Sequence, residues 1–170
     1  MKRITLLLVS LFTLSSISFA QGEMKKRQSP AETATGTINK TEISINYSSP
    51  RAKDRKIYGE LVPFGKIWRA GANEATTITF SKDVKVEGKA LAAGTYALFV
   101  IPKQDGTWTV IFNKEAKQWG AYKHDESKDA LRIEAKTSTI DHVENMTFVV
   151  DSKGMIHLDW SKTRMSFSVQ

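Results

Sequence analysis

Turn-forming clusters cut this chain into short pieces, and that punctuation limits its fold more than any other feature. Asn39-Lys40, Ser49-Pro50, Pro63-Phe64-Gly65, Glu87-Gly88, Ala93-Gly94, Gln104-Asp105-Gly106 and Ser152-Lys153-Gly154 recur along its length. Between them, apolar residues alternate with polar ones. Ile43, Ile45 and Tyr47 alternate with Glu42, Ser44 and Asn46; Leu131, Ile133 and Ala135 with Arg132, Glu134 and Lys136; Met165, Phe167 and Val169 with Arg164, Ser166 and Ser168. A period of two is the side-chain repeat of a strand with one face buried and one wet. About ten short strands at roughly 8–12-residue spacing predict an all-β chain. Hairpin connections make its sheets mostly antiparallel, and no strand–helix–strand rhythm appears. The expected architecture is a two-sheet β-sandwich, jelly-roll-like, with a flattened barrel as the alternative.

Two stretches break the alternation. Residues 95–101 (T-Y-A-L-F-V-I) are apolar on both faces, which places them at the centre of a sheet. Residues 114–119 (K-E-A-K-Q-W) are helix formers stopped by Gly120, and predict one short helix. Residues 123–129 (K-H-D-E-S-K-D) read as a solvated loop.

The first twenty residues have a different composition. Lys2 and Arg3 precede an apolar run too short to span a bilayer, and Ser18-Phe19-Ala20 fits a small-x-small cleavage site. This pattern predicts a signal peptide over residues 1–20, a flexible polar leader over 21–30 and a single β-sandwich domain over 31–170. The expected location is the periplasm or the cell exterior, with no transmembrane segment. The chain has no cysteine, so its core must hold without disulfides. A domain of about 140 residues buries roughly two thirds of its unfolded surface, which suffices. The formal charge of +7 is spread over the chain. It fits solubility, and no nucleic-acid-binding module accompanies it.

Residues 58–80 (Y-G-E-L-V-P-F-G-K-I-W-R-A-G-A-N-E-A-T-T-I-T-F) crowd aromatic, glycine, charged and amide residues together without simple alternation. Trp68 is a large apolar load suited to a core. Arg69, next to it, should face the other way, with a guanidinium suited to a carboxylate or phosphate. Gly71 permits close backbone approach or a positive φ. Asn73 and Glu74 follow at a loop-to-strand junction. The structural alternative is that Arg69 pairs with Glu74 while Asn73 holds the turn. Arg51 opens a charged loop after Pro50, and Trp119 and Tyr122 flank a Gly-Ala bend beside lysines, an arrangement suited to sugar rings or peptides.

Catalytic chemistry has less support. The histidines, His124, His142 and His157, form no H-x-H or H-E-x-x-H motif. His157 and Asp159 are spaced to share a strand face as a metal pair, and His142 would have to be brought near to complete a site. There is no G-x-S-x-G elbow. Glu60 and Glu74 are the best available carboxylate pair for glycoside hydrolysis.

Several of these stretches also carry a resemblance. The residues S-S-P-R (48–51), K-I-Y-G-E-L-V-P-F-G-K-I-W-R-A-G-A-N-E-A-T-T-I-T-F (56–80), L-A-A-G-T-Y-A-L-F-V-I-P (91–102), W-T-V-I-F-N (108–113) and W-G-A-Y (119–122) resemble a family of exported bacterial proteins, domain of unknown function 2911. The resemblance runs from about Ser29 to the C-terminus. It implies a secreted, β-rich domain without assigned catalytic residues, so none is carried over.

The resulting expectation is a non-catalytic binding domain for a polar or anionic ligand, a glycan or peptide, with no cofactor and no metal. Its site is expected at Arg51, Trp68, Arg69, Asn73 and Glu74, with Trp119 and Tyr122 as neighbours. The rival readings are an envelope hydrolase using Glu74 and a structural protein bound to an envelope partner.

Overall fold

The computed structural model describes residues 27–170; the proposed signal peptide and most of the polar leader lie outside the described residues. Nine strands follow in order: β1 (Ala31–Ile38), β2 (Thr41–Ser48), β3 (Thr76–Phe80), β4 (Val84–Val86), β5 (Lys89–Leu91), β6 (Gly94–Ile101), β7 (Thr107–Asn113), β8 (Asp129–Val150) and β9 (Met155–Ser168). Seven form one sheet in the order β1-β2-β3-β6-β7-β8-β9, and β4-β5 form a separate ribbon. Every strand pairing is antiparallel. The first hairpin turns on Asn39 and Lys40, at φ 48° and 64°, the left-handed pair that suits strand twist in a two-residue loop. Among the described residues, no helix is long and apolar enough to cross a membrane.

The sequence suggests separate strands at residues 131–136 and 146–150, and again at 155–160 and 164–169. The structure joins each pair into one long, bent strand. In β9, His157 Nδ1 lies 2.8 Å from Ser166 Oγ, and Arg164 reaches Asp159 at 2.6 and 2.7 Å. Residues nine apart in a straight strand would stand about 30 Å apart. β9 therefore doubles back at Ser161, where φ is 54°. β8 bends with it, and the β8–β9 register shifts between Thr139 and Val143 and again between Val143 and Thr147. This double bend lets one sheet supply two facing layers.

Further contacts close the sandwich. Residues 50–52 run on beyond β2 to meet the far half of β8, through Ala52 N–H to Glu144 O (2.8 Å) and Met146 N–H to Pro50 O (3.0 Å). The ribbon hooks onto the C-terminus, where Lys85 and Gln170 exchange backbone hydrogen bonds of 2.8 and 2.9 Å. The alternating apolar faces meet in one core that includes Ile45, Ile78, Leu98, Phe112, Met146, Leu158 and Phe167. Tyr47 and Phe148 pack edge-to-face across the layers at 5.1 Å.

β6 is apolar on both faces because both are covered. Leu98 and Val100 face the main core, while Ala97 and Phe99 lie with Ile111 in a smaller apolar cluster on the opposite side. His124 covers that cluster, its ring 5.2 Å from Phe99. The chain leading there is not the short helix expected at residues 114–119. Ala75 N–H donates to Gln118 O at 2.9 Å, and Glu74 bridges Trp119. Six residues cannot recover the cost of helix nucleation against such ties. The helical turn is instead a 3-10 turn at Glu126–Lys128, capped by the Asp125 carboxylate.

Gly36 marks where β1 crosses β8. A Cβ built there would lie 2.6 Å from Val150 Cγ1 and 2.7 Å from Val150 Cβ, and the latter cannot rotate away. Gly36→Ala should therefore cost about 1–3 kcal/mol of overpacking, exceeding the entropy gain from replacing glycine. A lower urea midpoint with an unchanged m value is the expected result; an unchanged midpoint would show that β1 can lift off β8 freely.

Candidate functional site

The unusual stretch is an excursion from the β3-facing side of β6, in the middle of the sheet. Trp68 exchanges two 2.8 Å backbone hydrogen bonds with Val100 on β6, and Thr76 is paired with Leu98 two residues along the same strand. Residues 69–75 loop out between these two anchors. The loop is closed by Thr76 Oγ1 donating to Ala70 O at 2.8 Å and by Trp68 Nε1 donating to Gly71 O at 3.0 Å. Ala70 and Asn73 take φ 50° and 57°. Gly71 is required for space, since a Cβ would meet Thr76 Oγ1 at 2.9 Å and Ser48 O at 3.1 Å.

The expected site residues divide between two concavities. Arg51, Trp68 and Arg69 border a cleft of about 260 Å3, together with Lys53, Arg55 and Trp160. Glu74 and Trp119 border a groove of about 560 Å3 over the outer face of β1, β2 and β3. Asn73 borders neither; its Nδ2 donates to Ser29 O at 3.4 Å. Tyr122 also stands apart, 85 % exposed, with its ring against Gly120.

Arg69 and Glu74 do not pair. Glu74 accepts two 2.9 Å hydrogen bonds from Arg27, whose guanidinium holds the Glu74 carboxyl below the usual carboxylate range. Among the described residues, no carboxylate pairs with Arg51, Lys53, Arg55 or Arg69. Arg55 is spent on the carbonyls of Ala52 and Arg51. The Arg69 Nε is buried without an acceptor, as is the Nε1 of Trp160. Trp68 and Trp160 stack beside the cleft, rings 5.9 Å apart and 20° from parallel. Tyr58 packs against both, and burial, with a smaller contribution from Asp159, pushes its hydroxyl well above the usual tyrosine range.

A family model described as a protein of unknown function, DUF2911, matches residues 29–169. The chain belongs to the DUF2911 family. No curated protein and no solved structure matches it.

Other groupings in this DUF2911 chain are engaged elsewhere. Arg164 holds the Asp159 carboxylate and Ser166 meets His157, so the proposed metal pair is tied into the β9 bend. Among the described residues, no cluster of three His, Cys, Asp or Glu side chains gathers. Ser166, His157 and Asp151 form a chain of contacts at 2.8 and 3.8 Å, but none borders the cleft or the groove. Glu60 pairs with Lys56 at 3.4 Å and borders neither concavity, so it does not face Glu74 across a cleft.

The stretch expected to be a solvated loop is in part an anchor. The side chains of His124 and Asp129 are largely buried and lie 2.9 Å apart. Asn113 donates to Asp129 at 2.7 Å and to the Asp125 carbonyl at 2.9 Å. Arg132 adds a 2.7 Å bond to Asp129. The loop carrying Trp119 and Tyr122 is thus pinned at its far end. The acid–amide–histidine spacing was a sequence signal, but it became interpretable only once residues 113, 124 and 129 were brought together.

Two predictions follow from these ties. Glu74→Gln should release residues 27–30, seen as faster amide exchange there, while global stability changes by less than about 1 kcal/mol because the pair is half exposed. Unchanged exchange would show that the segment is held by its backbone alone. For Asp129, burial raises the pKa, but hydrogen bonds from Asn113, Arg132 and His124 more than offset it, so the folded value is lowered. A lowered value stabilises the fold above the unfolded pKa, and that contribution is lost as pH falls through the folded one. The stability gap between the native chain and Asp129→Asn should therefore be full at neutral pH and shrink below about pH 4. Urea midpoints across pH 2–7 measure it; a gap independent of pH would contradict it.

Proposed function

We propose that this chain is an exported, non-catalytic binding domain that takes an anionic ligand in the cleft between Arg51 and Arg69. Export rests on the positive start, short apolar run and small-residue site within residues 1–20; the periplasm or cell exterior is the corresponding location. The observation that carries the binding reading is the set of cations around the cleft. Arg51, Lys53 and Arg69 have no side-chain acceptor among the described residues, and no acidic residue borders the cleft. Elsewhere, Lys103, Lys128, Arg132 and Arg164 each meet a carboxylate. Unneutralised guanidinium groups on a concave wall attract and orient oxyanions.

A hydrolase built on Glu74 has less support. Its carboxylate is gripped by Arg27 and held ionised, so it neither donates a proton readily nor serves as a strong base. Trp119, 62 % exposed, borders the groove and not the anion cleft.

Titration of isotope-labelled protein with inorganic phosphate and with sulfate tests the reading by NMR. Residues 50–55 and 68–72 should shift, and Arg51→Ala or Arg69→Ala should each weaken binding about tenfold or more. Failure of both anions to bind, or equal binding by the folded variants, would overturn it.

A further inference from the structure

The cleft is lined both by the cations Arg51, Lys53 and Arg69 and by the apolar residues Pro50, Leu61 and Val62. Leu61 is 45 % exposed, one of the few large apolar side chains left in water. A site for a bare inorganic ion has no use for such a flank, and a purely apolar pocket has no use for three unpaired cations. The floor adds a third element. Trp160 is 1 % exposed and borders the cleft, yet its indole N–H lacks an acceptor among the described residues. A buried donor without an acceptor is costly, and a ligand oxygen seated at the floor would relieve that cost.

Resting on the anion-binding reading, we propose that the ligand is an amphiphilic phosphate: a phosphate monoester head on a hydrocarbon stem. The head sits among Arg51, Lys53 and Arg69. Glu144 accepts from the Lys53 backbone N–H at 3.1 Å and feels the Arg51 charge, but it makes no ion pair with the three cations, and several cations free of ion pairs favour a doubly charged head over a single carboxylate. The stem lies along the exposed Leu61 side chain, beside the buried Pro50 and Val62, where it removes apolar surface from water. A cleft of about 260 Å3 holds the head and the first few carbons, and its open mouth lets a longer chain continue outward. The stacked Trp68 and Trp160 rings beside the site give it an intrinsic fluorescence readout.

The experiment compares inorganic phosphate, ethyl phosphate and butyl phosphate by tryptophan fluorescence and calorimetry on the folded chain. Affinity should rise about fourfold per fully buried methylene, so butyl phosphate should bind at least about tenfold more tightly than inorganic phosphate. Leu61→Ser, at a half-exposed position, should abolish that gain with chain length. Arg69→Ala should weaken all three ligands together. Phosphate binding that depends on Arg69 but shows no gain with chain length would overturn the amphiphile proposal and leave the anion cleft standing. Loss of every phosphate interaction would remove both. Phosphatidylcholine vesicles with and without phosphatidic acid identify the source of the head. Arg69-dependent binding to the phosphatidic acid vesicles assigns it to a membrane lipid, and butyl phosphate binding without vesicle binding assigns it to a soluble ester.

Discussion

The fold depends on one tight reversal in β9. Where Ser161 adopts a left-handed conformation, the strand turns back until Asp159 meets Arg164 and His157 meets Ser166. β8 must bend alongside to keep its hydrogen bonds. The pair then lines two layers at once, and Met146, Leu158 and Trp160 pack against the same core as Phe112 and Phe167. A flat seven-stranded sheet would leave one of its apolar faces in water. With no cysteine available, this bend provides the closure that a crosslink supplies in many exported domains.

The sequence made the inward and outward faces legible but not the bend. Ile43, Ile45 and Tyr47, or Met165 and Phe167, announce their side through alternation, and all are buried. Ser161 carries no comparable signal, because reversals are recognised through glycine or proline and this one uses neither. The two long strands therefore look like four short ones. Residues 114–119 misled for a related reason. Their helix propensity is a local property, whereas their backbone partner, Ala75, lies far away in sequence.

The candidate site was legible in the same uneven way. Arg51, Trp68 and Arg69 stood out by composition and do share a cleft. Trp160 could not be linked to them because it lies more than ninety residues beyond Trp68. Lys53 and Arg55 looked like ordinary solvated charge. Glu74 was grouped with Arg69 by proximity along the chain, but the excursion at residues 69–75 turns it toward the groove instead. Its partner, Arg27, sits in a stretch whose composition suggested only a polar leader. That Arg51 and Arg69 share a cleft while Glu74 faces the groove is visible only in three dimensions.

The clamp of Arg27 on Glu74 also has a practical side. It routes the chain past Gln28 and Ser29, which border the cleft, so an affinity handle or fusion partner joined ahead of residue 27 would be delivered to the edge of this candidate surface. Gln170, bonded to Lys85 through its backbone, is the better point of attachment for immobilising the molecule with that surface left open.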